Sequence, residues 1–267
     1  MRGRVVPLSV PRRLVCDLMH FASGVPTIPV QRRMSLARVV AARNRGPDRA
    51  PWTAVFAKAL ARVAARVPEL RRAYCKLPYP HLYEYPRSIA SVVVEREYRG
   101  QKALFTLGIR DPAERPLEDL VRAVRGAQTL PVGDVSQFRR ALRFGRYPLP
   151  VRRALWWTAL NWGRVRANYF GTFLVSVYSA LGAESLHPLS PLTSTLTYGP
   201  IGPDGSVDVR LVYDHRVLDG ATVARALARL EYELNGYVCD ELGTQAVAPS
   251  GAVECGSGTS EEMVETR

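Results

Sequence analysis

The chain has no run of about 18 apolar residues, which excludes a transmembrane helix built from one continuous stretch. Its start, Met1-Arg2-Gly3-Arg4-Val5-Val6-Pro7, lacks the apolar centre of a signal peptide. Cysteine is scarce: Cys16, Cys75, Cys239 and Cys255 are scattered without CxxC spacing. That pattern argues against a disulfide framework or a zinc site and predicts free thiols in a reducing cytoplasm. Lysine is nearly missing, with only Lys58, Lys76 and Lys102 among 37 basic residues and arginine making up the other 34. Acidic residues are absent between Asp134 and Glu184, where Arg139, Arg140, Arg143, Arg146, Arg152, Arg153, Arg164 and Arg166 stand among aromatics. No internal repeat is present.

What remains is an ordinary globular composition, 47% apolar, with a net charge of +13. A length of 267 residues suits one large domain or two small ones. Apolar spacing predicts helices at 11–22, 36–44, 53–66, 116–127 and 221–234. Strands are expected at 25–34, 89–98, 103–109, 173–178, 194–199 and 207–213. Arg99-Gly100-Gln101 would turn a hairpin, and Pro203-Asp204-Gly205-Ser206 another. The passage 78–86 is proline-rich. Residues 151–165 fit a single amphipathic helix carrying Trp156, Trp157 and Trp162 beside arginines. The polar, acidic stretch 243–267 is expected to be disordered. Mixed helices, strands and hairpins point to an α+β arrangement with a mixed sheet.

One segment carries chemistry. Tyr213-Asp214-His215-Arg216-Val217-Leu218-Asp219-Gly220 places an imidazole at a strand end, before a turn and a helix. An imidazole of near-neutral pKa is suited to removing a proton from a thiol or hydroxyl. Asp219 before Gly220 and Ala221 also reads as a helix N-cap.

This segment resembles the HxxxDG signature of coenzyme A-dependent acyltransferases. Its longer form, Asp214-His215-Arg216 with Asp219-Gly220-Ala221, resembles the catalytic domain of 2-oxoacid dehydrogenase acyltransferases. Chloramphenicol acetyltransferase and peptide-synthetase condensation domains are more distant relatives. Gly171-Thr172-Phe173-Leu174-Val175-Ser176 resembles the family's GTFTVS strand, and Phe56-Ala57-Lys58-Ala59 followed by Pro68-Glu69-Leu70 its early helix ending in PEL. Arg12-Arg13 opens a stretch like its first helix. The resemblance spans about 11–240. It implies an N-terminal extension (1–10), a catalytic domain (11–242) holding a basic aromatic insertion near 136–168, and a tail (243–267).

The resemblance implies a chloramphenicol acetyltransferase-like α/β sandwich, trimeric, using coenzyme A or an acyl carrier as thioester donor. His215 would be the general base. Ser176 would donate to the oxyanion, although a plain strand serine is the competing reading. Asp219 would support the turn by pairing with an arginine, for which Arg12, Arg13 and Arg216 are candidates, with Asp214 and Gly220 as further structural support. In the family the serine and histidine come from neighbouring subunits. Here Val177-Tyr178 replaces the usual Asn-Leu-Gly after the serine, and no lipoyl domain precedes the motif. The chain therefore carries no lipoyl-lysine, and no metal is implied. The acidic tail predicts isolated trimers, not a cage.

The tryptophans of the insertion suggest either packing against the domain, contact with an anionic membrane surface, or an acyl-chain channel. Charge alone would also suit nucleic acid, but no motif supports it. Two rival functions are a scaffold or membrane-surface protein that keeps the fold without catalysis, and a core subunit of a 2-oxoacid dehydrogenase complex. A cytoplasmic location is expected, with peripheral membrane association as its variant.

Overall fold

A computed structural model describes residues 1, 3–45 and 49–247. The chain opens with α1 (Val10–Ala22), β1 (Thr27–Ser35), α2 (Ala37–Arg45) and α3 (Trp52–Arg66). A short 3₁₀ turn at Pro68–Arg71 leads to β2 (Arg72–Cys75) and β3 (His81–Glu84). There follow β4 (Ile89–Tyr98), β5 (Gln101–Arg110), α4 (Leu117–Thr129), α5 (Ser136–Phe144), α6 (Leu149–Asn161) and α7 (Gly163–Phe170). The last part is β6 (Phe173–Val175), β7 (Ser194–Tyr198), β8 (Ser206–Asp214), α8 (Gly220–Glu233) and α9 (Cys239–Val247).

Six strands form one mixed sheet in the order β1-β8-β7-β6-β4-β5, and β2 pairs with β3 in a separate hairpin. The middle pairs β4–β6 and β6–β7 are parallel; the outer pairs are antiparallel. The expected mixed-sheet class is therefore observed. Side chains alternate across the sheet. Val92, Phe105, Val175, Leu196, Val209 and Leu211 face one side and join the main core. That side is covered by α3, α4 and α8.

Helix α3 is alanine-rich and apolar on nearly every side, so it is buried along most of its length. Its Phe56 stacks on Tyr198 of β7 at 4.1 Å. It stops at Val67 because Pro68 follows. The β4–β5 hairpin turns through Arg99 and Gly100, both at positive φ (53° and 71°), as a two-residue turn requires.

Several expectations change. Residues 151–165 do not form one helix: α6 ends at Asn161, and Trp162 adopts an extended conformation (φ −107°, ψ 107°) before α7. The break follows from docking, because Leu77 N–H donates to the Asn161 carbonyl and Leu77 bridges to Trp162. Two arginines of this basic segment are interior. Arg152 forms a buried pair with Asp17 of α1 (2.6 Å), and Arg166 donates to the carbonyls of Tyr74, Leu160 and Pro191. The proline-rich passage contains strand β3. Residues 243–247 continue α9, against the expected disorder, and 248–267 of the tail lie outside the described residues. The sequence Arg45-Gly46-Pro47-Asp48 predicts a turn after α2, and residues 46–48 lie outside the described residues.

Candidate active site

Strand β8 is a buried strand, flanked by β1 and β7, and it ends at Asp214. The next residues are fastened on both sides of the histidine. Asp214 is fully buried, and its carboxylate accepts from Arg216 Nε (2.9 Å), Arg216 Nη2 (2.7 Å) and the Arg216 backbone N–H (3.0 Å). Its carbonyl accepts from Val217 and Leu218, closing the turn. The Arg216 guanidinium lies over the Tyr74 ring at 4.6 Å. A bidentate charge-assisted pair on a fully buried carboxylate holds this geometry more firmly than a surface ion pair would.

His215 sits between these two anchors. Its backbone N–H donates to the Pro26 carbonyl (3.0 Å), while its side chain is 47% exposed. The Tyr213 ring lies 5.7 Å from the imidazole. His215 Nδ1 is 3.9 Å from Asp219 Oδ1, beyond hydrogen-bond length. Thr27, the register partner of Asp214, bonds His187 Nε2 at 2.8 Å. The motif gave no signal for Tyr74, Thr27 or His187, because all three are remote in sequence.

Asp219 occupies the N-cap position of α8 in extended backbone, and its carbonyl accepts from the Val223 N–H. Its carboxylate makes no capping bond and is 85% exposed. The expected arginine partner is thus corrected: Arg216 pairs with Asp214. Arg12 is exposed, and Arg13 Nε donates to the Leu8 carbonyl. The reason is local, since the two-residue spacing lets Arg216 fold back onto the strand end. Burial, and then the charge of Asp219, push the Tyr213 phenol above its ordinary range. A Cβ at Gly220 would lie 3.4 Å from that hydroxyl, an ordinary van der Waals contact.

Ser176 is delivered by the segment from Gly171. Gly171 has φ +85°, and a Cβ there would lie 2.4 Å from Ser91 Oγ, so only glycine fits. Thr172 Oγ1 accepts from the Ile89 N–H and donates to the Ile89 carbonyl, locking the segment onto β4. Ser176 is buried, and its N–H donates to the Leu196 carbonyl (3.1 Å).

The register separates Ser176 from His215. Val175 pairs with Leu196, so Ser176 lies level with Thr197, at the far end of β7. Asp214 N–H donates to the Thr193 carbonyl, so His215 lies beyond the near end of β7. Some five residues of strand rise and two strand spacings put the two about 15–20 Å apart. They do not meet within one protomer.

Of the three tryptophans, Trp156 packs inward, stacked on Phe21 (5.7 Å) and tilted against Phe170 (4.9 Å). Trp157 and Trp162 are exposed. Among the described residues no group of three His, Cys, Asp or Glu side chains is placed to hold a metal ion. No described helix is long and apolar enough to cross a membrane.

No protein-family model and no curated protein matches the chain. Solved structures do. The dihydrolipoamide acetyltransferase of Azotobacter vinelandii superposes with a TM-score of 0.64 at 16% identity, over 88% of this chain and 93% of that one. For that protein, a serine, a histidine and an asparagine four positions beyond the histidine are the residues whose catalytic role was investigated. The cubic core of a pyruvate dehydrogenase multienzyme complex gives 0.60 at 17% identity, over 88% and 93%. A chloramphenicol acetyltransferase gives 0.51 at 12% identity, over 85% and 98%. The chain has the fold shared by dihydrolipoamide acetyltransferase cores and chloramphenicol acetyltransferase.

Proposed function

We propose that this protein is a stand-alone acyltransferase working as a homotrimer, with each active site shared between two protomers. The observation that carries this reading is the pairing of an exposed, rigidly mounted His215 with a Ser176 at the opposite end of the sheet. The two suit one site only if different protomers supply them. The same residue types, with the histidine followed four positions later by Asp219, parallel the trio studied in the Azotobacter enzyme. The aspartate in place of its asparagine is a departure.

In the proposed reaction His215 removes the proton from an attacking thiol. The thiolate adds to the carbonyl of a thioester on coenzyme A or a carrier. Negative charge collects on the carbonyl oxygen, to which Ser176 Oγ donates. One such donor is worth about 3 kcal/mol of barrier. The intermediate collapses, the carbon–sulfur bond of the donor breaks, and the imidazolium returns its proton to the departing thiolate. Asp214 and Arg216 hold the histidine's backbone and touch neither substrate.

The test is acyl exchange from a panel of acyl-coenzyme A thioesters to a small dithiol, with His215→Ala alongside. Wild type should transfer and the variant should fall by at least about a hundredfold. Equal rates would end the assignment.

A second reading adds a membrane surface. Leu149, Val151, Leu155 and Trp157 of α6 are exposed beside Trp162 and the arginines of the acid-free segment. Cosedimentation with vesicles rich in phosphatidylserine, abolished by Trp157→Ser with Trp162→Ser, would support it. Absence of binding at low salt would remove it.

A further inference from the structure

The sheet face opposite α3, α4 and α8 carries a row of polar groups. Ser176 lies level with Thr197, Thr197 is the register partner of Arg210, and Arg210 pairs with Gln31. Paired residues on neighbouring strands point to the same face. The row therefore runs from the proposed oxyanion donor across β7 and β8 to the exposed Gln31 on edge strand β1.

Two members of this row are incompletely bonded. Arg210 is 7% exposed and Thr197 is fully buried, yet Arg210 Nη1 and Thr197 Oγ1 have no hydrogen-bond partner among the described residues. A buried donor left open in this way costs about 1–3 kcal/mol, and here two of them fall at paired positions on adjacent strands. The third group at the site is Glu184. Its Oε1 accepts from Arg210 Nη2 at 3.0 Å, and it reaches in from the segment 177–189, most of whose residues are exposed. That bond from Arg210 lowers the Glu184 carboxyl below its ordinary range. A carboxylate thus already sits on one side of the guanidinium, while Nη1 on the other side is buried without a partner among the described residues.

We infer that Arg210 and Thr197 form a carboxylate subsite, and that the transferred acyl group carries a terminal carboxylate. The planar guanidinium fork matches the geometry of a carboxylate. The substrate carboxylate accepts from Arg210 Nη1 and Thr197 Oγ1. Glu184 is the placeholder that covers the guanidinium until substrate arrives, and its segment yields Nη2 to the incoming group. Ser176 and Arg210 are two strand spacings apart, about 10 Å between Cα atoms, and both side chains lean over the same face. A thioester carbonyl at Ser176 would then place the far carboxylate of a half-thioester of about four or five carbons at Arg210. The position of the thioester end rests on the acyltransferase reading; the carboxylate contact rests on Arg210 and Thr197 alone.

The experiment is calorimetric binding of two non-cleavable thioether analogues, of succinyl- and of butyryl-coenzyme A, to the whole protein. The carboxylated probe should bind at least roughly tenfold tighter to wild type. Arg210→Met should abolish that ratio, and Glu184→Gln should increase it. The opposite signs separate a lost contact from a misfolded variant. Equal binding of the two probes, or a ratio that survives Arg210→Met, overturns the subsite. A third probe, 3-mercaptopropionate against ethanethiol, distinguishes the source. Arginine-dependent preference there, but not between the coenzyme A analogues, overturns the assignment to the acyl group. Turnover is scored separately. Selective binding without acyl transfer ends the catalytic reading and leaves the subsite, whereas transfer of both acyl groups without selectivity does the reverse.

Discussion

Replacing Arg216 by methionine should separate the support of the turn from its chemistry. The change leaves the buried Asp214 carboxylate with one backbone N–H donor and removes two charge-assisted bonds of 2.9 and 2.7 Å. Breaking a buried pair by removing one partner costs about 3–5 kcal/mol. The Arg216 side chain is 31% exposed, so water replaces part of the loss and the lower end, about 3 kcal/mol, applies. For a chain of this size that corresponds to a fall in Tm of about 6–12 °C. The loss should be shared with its partner. In a double-mutant cycle with Asp214→Asn, the coupling should be about 2 kcal/mol, because the neutral amide tolerates the missing guanidinium. His215→Ala is the control. Its half-exposed side chain should cost under about 0.5 kcal/mol while removing activity. Urea unfolding of the five proteins, with acyl transfer measured on each folded variant, provides the numbers. If Arg216→Met unfolds within about 0.5 kcal/mol of wild type, the pair does not fasten the turn and the argument for a rigidly mounted histidine fails.

Three further outcomes follow from the packing. Asp17→Asn should destabilise by about 3 kcal/mol or more, because Arg152 is left charged in a buried site joining α1 to α6; chemical denaturation reads this directly. Phe138→Ala removes a fully buried ring stacked on Phe105 at 4.7 Å and should cost about 3–5 kcal/mol in the same assay. Gly171→Ala must move either Ser91 or the β4 backbone, so it should lower Tm and acyl transfer together, whereas Gly100→Ala, in open space, should lower only Tm.

The turn around His215 was legible because its information is local: strand, anchor, imidazole and helix start fall within eight consecutive residues. The β4–β5 hairpin and α3 were legible for the same reason, each having a clean apolar period and a turn or proline at its end. The partner of Asp214 was not, since Asp219, three residues beyond Arg216, competed for the same arginine and only the folded strand end decides between them. Arg210 was invisible in sequence. It reads as one polar position in an alternating strand, and its burial depends on Glu184, 26 residues earlier. The basic segment misled through its charge: Arg152 and Arg166 look solvated in a composition count, yet Asp17 and three backbone carbonyls bury them. The helix break at Trp162 likewise depends on Leu77, far back in the chain.

The most direct test of a site shared between protomers is complementation. His215→Ala and Ser176→Ala proteins, each inactive alone, are unfolded, mixed in equal amounts and refolded together. In random trimers about one interface in four joins an intact histidine to an intact serine, so activity should return to about a quarter of the wild-type level. No recovery, in a mixture verified to contain mixed trimers, would contradict the account.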